Sequence, residues 1–320
     1  MADTTNKLRV VYGDVTLGLG GDGFHYIFSY ATGGLESLVA GGREWLYRTP
    51  KPTFWRALTD NDRGCRFHLT SGIWLAADMF IRVTGVEVAV DGRPIALPNA
   101  PENNRYTAQE TAERVALTFR YETITSPAAR VDVTYDVTAD GRIRVTCAYH
   151  GAKGLPELPV FGLRLVMPTK AVGYTYEGLS GETYPDRMAG GVPGVYEVTG
   201  LPVTPYVVPQ ECGMHMQTKW VRVTRDSALS NVRGEVPASS LTFAAADAPF
   251  AFSCLPYTAE ELENATHHEE LPPERRTVLC VCGAVRGVGG INSWGADVER
   301  AYHIDAAQDH EVSFVIALEY

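Results

Sequence analysis

Residues 131–149 read VDVTYDVTADGRIRVTCAY, with an apolar side chain at every second position on either side of Asp140-Gly141. Successive side chains of a strand point to opposite faces, so this alternation describes strands with one face made for burial. An Asp-Gly pair between two such runs reads as a hairpin turn, because glycine accepts a positive φ at no steric cost. The stretch is therefore two antiparallel strands over 131–137 and 142–149.

The same period recurs along the chain. Strands are predicted at Leu8–Tyr12, Phe24–Tyr30, Val83–Val90, Arg114–Tyr121, Phe161–Met167, Lys219–Thr224, Leu241–Ala244, Thr277–Val281 and Glu311–Leu318. Most are rich in Val, Thr, Tyr and Phe and are bounded by turn formers. Asp91-Gly92 marks a second hairpin. Helix signals are few: Thr258-Ala-Glu-Glu261 is a capping box opening a helix over 259–267, and Ile73–Phe80 fits a short helix or an irregular turn. Many short strands and very little helix predict an all-β protein built as a large β-sandwich. With no internal repeat, and with Pro98–Asn104 reading as a loop, residues 1–320 form one expected domain.

The formal net charge of -10 argues against nucleic-acid binding and against attachment to anionic membranes. No apolar run approaches a membrane span, and the N-terminus lacks the apolar core of a signal peptide. Six cysteines in 320 residues are too sparse for a disulfide scaffold. A cytoplasmic location is expected.

Four motifs invite a catalytic reading. Gly18-Leu-Gly20-Gly-Asp-Gly23 matches the dinucleotide fingerprint as a pattern, but an aromatic strand follows where a helix is required, so a hairpin turn is expected. Gly178-Leu-Ser180-Gly-Glu182 lacks the final glycine of a nucleophile elbow. Asp60-Asn-Asp62-Arg-Gly64 begins like a calcium loop but has Ser71 at the twelfth position. It reads instead as a buried turn in which Arg56 pairs with carboxylates through bidentate bonds. Cys280-Val-Cys282, His215 and His267-His268 offer too few spaced ligands for zinc, so no metal is assigned to the chain. A retaining glycosidase needs two carboxyl groups about 5 Å apart, and the sequence identifies no such pair.

FWRALTDNDRG (54–64), LSGETYPDR (179–187), TPYVVPQECG (204–213) and GVGGINSWG (287–295) resemble, in order and spacing, the C-terminal domain of bacterial β-galactosidases of glycoside hydrolase family 2. The chain has the layout of the separately encoded small subunit found in heterodimeric members. The resemblance implies a galactose-mutarotase-like β supersandwich. It implies that both catalytic glutamates lie in a large catalytic subunit, with the magnesium and sodium ions of the family also there and no cofactor on this chain. The substrate would be lactose or another terminal β-D-galactoside.

By the same resemblance Trp294 is an apolar platform for sugar rings, with Asn292 and Ser293 beside it at the substrate. Trp55, Arg56, Asp60, Asn61, Asp62, Tyr184, Asp186 and Arg187 are assigned to loop bracing or the subunit interface. The segment 64–74 corresponds to a loop that is longer in relatives. Two other readings stand beside this one. One is an aldose-1-epimerase-like enzyme drawing its acid and base from His150, His215, Glu177 and Glu182. The other is a free-standing carbohydrate-binding module.

Overall fold

The computed structural model describes residues 7–97, 110–229 and 237–318, so the loop read at Pro98–Asn104 lies outside the described residues. All eleven predicted strands are present, within two residues at their starts and four at their ends. The opening hairpin pairs Val133 with Cys147 and Tyr135 with Val145, so the apolar faces of both strands coincide. At the second hairpin, Asp91 and Gly92 both take positive φ, the backbone of a type I′ turn.

Ten strands form one antiparallel sheet. In spatial order they are Pro193–Thr199, Gly173–Leu179, Trp220–Arg225, Ser239–Ala245, His310–Leu318, Ile143–His150, Arg130–Thr138, Arg114–Glu122, Arg82–Val90 and Arg93–Ile95. Its buried face carries Tyr135, Tyr149, Tyr174 and Phe314. Two smaller sheets cover that face. The six-stranded one, built from Leu8–Ala40 with Arg43–Glu44 and Thr111–Ala112, brings Phe28 to Tyr135 at 5.5 Å. The five-stranded one orders Met214–Thr218, Phe250–Leu255, Thr277–Val285, Val160–Met167 and Arg48–Thr53. It sets Phe161 against Tyr149 at 5.6 Å and Phe252 against Tyr174 at 5.6 Å. The result is an all-β sandwich of one large sheet backed by two.

The glycine-rich stretch 18–23 is the predicted hairpin: Thr16–Gly21 pairs with Phe24–Ser29 around Asp22-Gly23. The capping box at Thr258 is formed, and its helix covers Ala259–Asn264, three residues shorter than predicted. Residues 60–64, read as a turn, are a single helical turn capped by Thr59 and Asp62. No described helix is long and apolar enough to cross a membrane.

The topology also places the loops. Val160–Met167 lies between Arg48–Thr53 and Thr277–Val285 and runs antiparallel to both. The two outer strands therefore end at the same edge of the sheet, where the central one begins. The chain after Thr53, the chain after Val285 and Glu157 all emerge there.

Candidate functional site

At that edge the four quoted motifs meet. Arg56 is buried and donates to both oxygens of Asp62, at 2.8 and 3.2 Å, the bidentate pair expected from the sequence. Its Nη2, which also donates to Asp62, reaches the carbonyl of Gly287 at 3.0 Å, where the glycine-rich loop opens. Asn61 donates to the Val288 carbonyl at 2.9 Å. From the second motif, the Asp186 carboxylate accepts the amides of Val288 at 3.0 Å and Gly289 at 2.8 Å. Arg187 donates to the Gly289 carbonyl. The third motif joins through Gln210, whose side chain accepts the Asp60 amide at 3.0 Å and donates to the Asp60 carboxylate at 3.2 Å. Tyr184 donates to buried Glu211 at 3.4 Å, and burial pushes that carboxyl up to about 7. Trp55 donates to Glu263 at 3.3 Å and lies in the core.

Arg56, Asn61, Asp186 and Arg187 thus brace the base of the loop 287–295 directly, whereas Asp60 ties the first motif to the third through Gln210. At its tip the situation reverses. Trp294 is 91% exposed, which excludes a core tryptophan. Asn292 spends its carboxamide oxygen on the Trp294 and Ala296 amides at 2.9 and 3.2 Å. It shapes the tip, leaving the side-chain nitrogen for any ligand. Ser293 is exposed beside it.

The glycines fix this shape by close approach. Gly295 has φ +75, and a Cβ there would meet the Gly64 carbonyl oxygen at 2.7 Å. A Cβ on Gly290, at φ +79, would lie 2.9 Å from the Asn61 side chain. The segment 64–74 is clamped as well: buried Trp74 stacks on Phe54 at 5.5 Å and donates to the Pro156 carbonyl at 3.1 Å.

A second group of residues was not singled out by sequence reasoning. Arg286, fully buried, donates to Asp62 at 3.0 Å, to Glu157 at 3.2 Å and to Asp297. Its guanidinium also lies over the Phe67 ring at 4.1 Å. Both ends of the loop are therefore tied to one residue, since Gly287 follows Arg286 and Asp297 is its ion-pair partner. His303 Nδ1 lies 2.7 Å from Glu157. Burial pushes the Glu157 carboxyl up, against the pull of Arg286 and His303. Asp297 stays below the usual carboxylate range: burial opposes this, but Arg286 and the Val298 amide prevail. Glu157, Asp297 and His303 come within 4.8 Å of one another, but the Arg286 guanidinium already fills the cation's place between the two carboxylates. Asp297 stands two residues past GVGGINSWG, and nothing in the sequence pairs it with Glu157.

The residues of the epimerase reading are not assembled. His150 is bound to Asp132, and buried His215 to Tyr174 and the Gly181 carbonyl. Glu177 is bound to Lys219 and Trp220, and Glu182 to Thr204. No Glu–His pair forms among the four.

The model of the "Beta galactosidase small chain" family matches residues 20–316. The "Beta-galactosidase small subunit" of Latilactobacillus sakei is 63% identical over 317 residues, covering 99% of this chain and 100% of that protein. The "Beta-galactosidase" of Halalkalibacterium halodurans is 34% identical over 314 residues, covering 97% of this chain but only 28% of that protein. The chain thus spans little more than a quarter of such long relatives. Among solved structures, a putative aldose 1-epimerase from Escherichia coli K12 covers 97% of this chain and 99% of its own, with 13% identity and a TM-score of 0.44.

Proposed function

The chain belongs to the β-galactosidase small-chain family, and on that premise we propose that it completes the substrate site of a separate large catalytic subunit and stabilises the complex. The reaction is retaining hydrolysis of lactose and other terminal β-D-galactosides. Both catalytic carboxylates, and the magnesium and sodium ions, belong to the large subunit. The long relatives support this division, because in them a matching segment is one part of a larger β-galactosidase.

The observation that carries the reading is the contrast within one loop. Its base is held by side chains from two other segments, whereas its indole stands 91% exposed. An exposed indole held in place is a surface waiting for a partner, since so much apolar area gains by leaving water. A pyranose offers one face of C–H groups that stacks on an indole while its hydroxyls bond elsewhere. Trp294 therefore serves as the floor or wall against which the galactoside ring lies, and Asn292 and Ser293 stand at its edge.

Trp294→Ala in the assembled complex tests this. The expected result is normal assembly with a raised KM for lactose. Wild-type kinetics on lactose would remove Trp294 from the site. Wild-type-rate cleavage of a chromogenic β-galactoside by the chain alone would overturn the division of labour.

A further inference from the structure

The ion-pair cluster beneath the loop carries one more carboxylate than guanidinium. Asp62, Glu157 and Asp297 supply three carboxylates, whereas Arg56 and Arg286 supply two guanidiniums. The contacts of His303 point the same way. His303 Nε2 lies 3.1 Å from the Val298 carbonyl oxygen. A carbonyl can only accept, so Nε2 carries a hydrogen. His303 Nδ1 lies 2.7 Å from a Glu157 oxygen. This is an ion-pair contact without hydrogen-bond alignment, so it is attractive only while one of the two groups carries an extra proton.

We infer that His303 and Glu157 hold a single proton between them, and that this proton fixes the loop presenting Trp294. The route is short. Glu157 also accepts from Arg286, and Arg286 holds Asp297, three residues beyond Trp294. The Gly287 amide donates to the Tyr302 carbonyl at 3.1 Å, beside His303. The loop leaves the five-stranded sheet after Val285, the chain passes back beside that exit at Tyr302-His303, and the shared proton closes the circuit.

Glu157 comes from the segment before Val160–Met167, Arg286 from the end of Thr277–Val285, and Asp297 from the loop, 3.8 Å from Nε2. Asp62 acts through Arg286, and Cys65 lies 3.7 Å from Asp297. Removing the proton leaves Glu157 facing a ring nitrogen lone pair, with a third carboxylate uncompensated. Such a contact is repulsive in a low-dielectric setting. His303 and Glu157 are therefore positioning residues, acting on substrate only through Trp294.

The test uses fluorescence first, so that it does not depend on the sugar-platform reading. Acrylamide quenching of the full-length chain, with Trp294→Phe as the reference, isolates the Trp294 signal. The wild type should show a step as pH rises. Glu157→Gln should show none, because its carboxamide N–H can donate to a neutral imidazole while its oxygen still accepts from Arg286. His303→Gln offers a carboxamide N–H to the Glu157 carboxylate at every pH, so it should show no step at the wild type's pH. A flat wild-type curve, or an equal step in either variant, overturns the inference.

The kinetic arm rests on the proposed platform role. In the assembled complex the wild-type KM for lactose should rise about threefold across the step, with kcat unchanged, and this rise should vanish in Glu157→Gln. A fluorescence step without a KM step upholds the shared proton and overturns the platform reading.

Discussion

The Asp186 carboxylate receives the backbone amide of Gly289 at 2.8 Å, joining segments more than 100 residues apart in sequence. The same carboxylate takes the Val288 amide through both oxygens. It acts as an anion caught by consecutive N–H groups at the root of the loop. Asp186→Asn keeps one acceptor and removes the charge. The expected cost is about 1–2 kcal/mol, read as a lower melting temperature of the chain. In the complex KM should rise while kcat holds, because the reacting groups are elsewhere. Equal stability and equal KM would show that the contact does not hold the loop.

Gly295 is required for a different reason, its contact with Gly64. Gly295→Ala adds a methyl 2.7 Å from the Gly64 carbonyl oxygen, at a backbone φ of +75. Gly42→Ala provides the comparison, because Gly42 has φ +71 and a methyl added there would meet nothing within 4 Å. Strain alone costs about 1 kcal/mol in either variant. The difference between their melting temperatures isolates the clash. Gly295→Ala should lose more stability and also raise KM, whereas Gly42→Ala should leave KM alone.

Much of this architecture is legible in the sequence. Strands with one buried face, such as Arg130–Thr138, announce themselves by alternation. Phe250–Leu255 does not, because all six residues are buried and a strand covered on both faces has no period to read. Arg48–Thr53 is hidden by Pro50 and Pro52, which a sheet tolerates here because the strand lies at the edge. The pairing of Arg56 with a carboxylate is readable from local sequence, since Asp62 is six residues away. Arg286 is not: its partners are Asp62, Glu157 and Asp297, and only the sheet topology brings them together. A buried arginine between a valine and a glycine gives no sign of its charge partners in one sequence.

Glu211 provides a pH test that sits apart from the loop's own proton. Burial raises its folded carboxyl from 4.5 to about 7, with Arg56 and the Tyr184 hydroxyl pulling the other way. The unfolded chain releases this proton near 4.5, while the folded chain keeps it until about 7. Between those values the folded state binds more protons, so stability falls as pH rises. The loss is complete above the folded value and amounts to about 3 kcal/mol. Glu211→Gln keeps an oxygen for Tyr184 and has no charge to desolvate. Its melting temperature should exceed the wild type's at pH about 8 and match it at pH about 4. A wild type whose stability rises from the lower pH to the higher one relative to Glu211→Gln would show that Glu211 is ionised in the folded protein, held by Arg56 more strongly than burial opposes it.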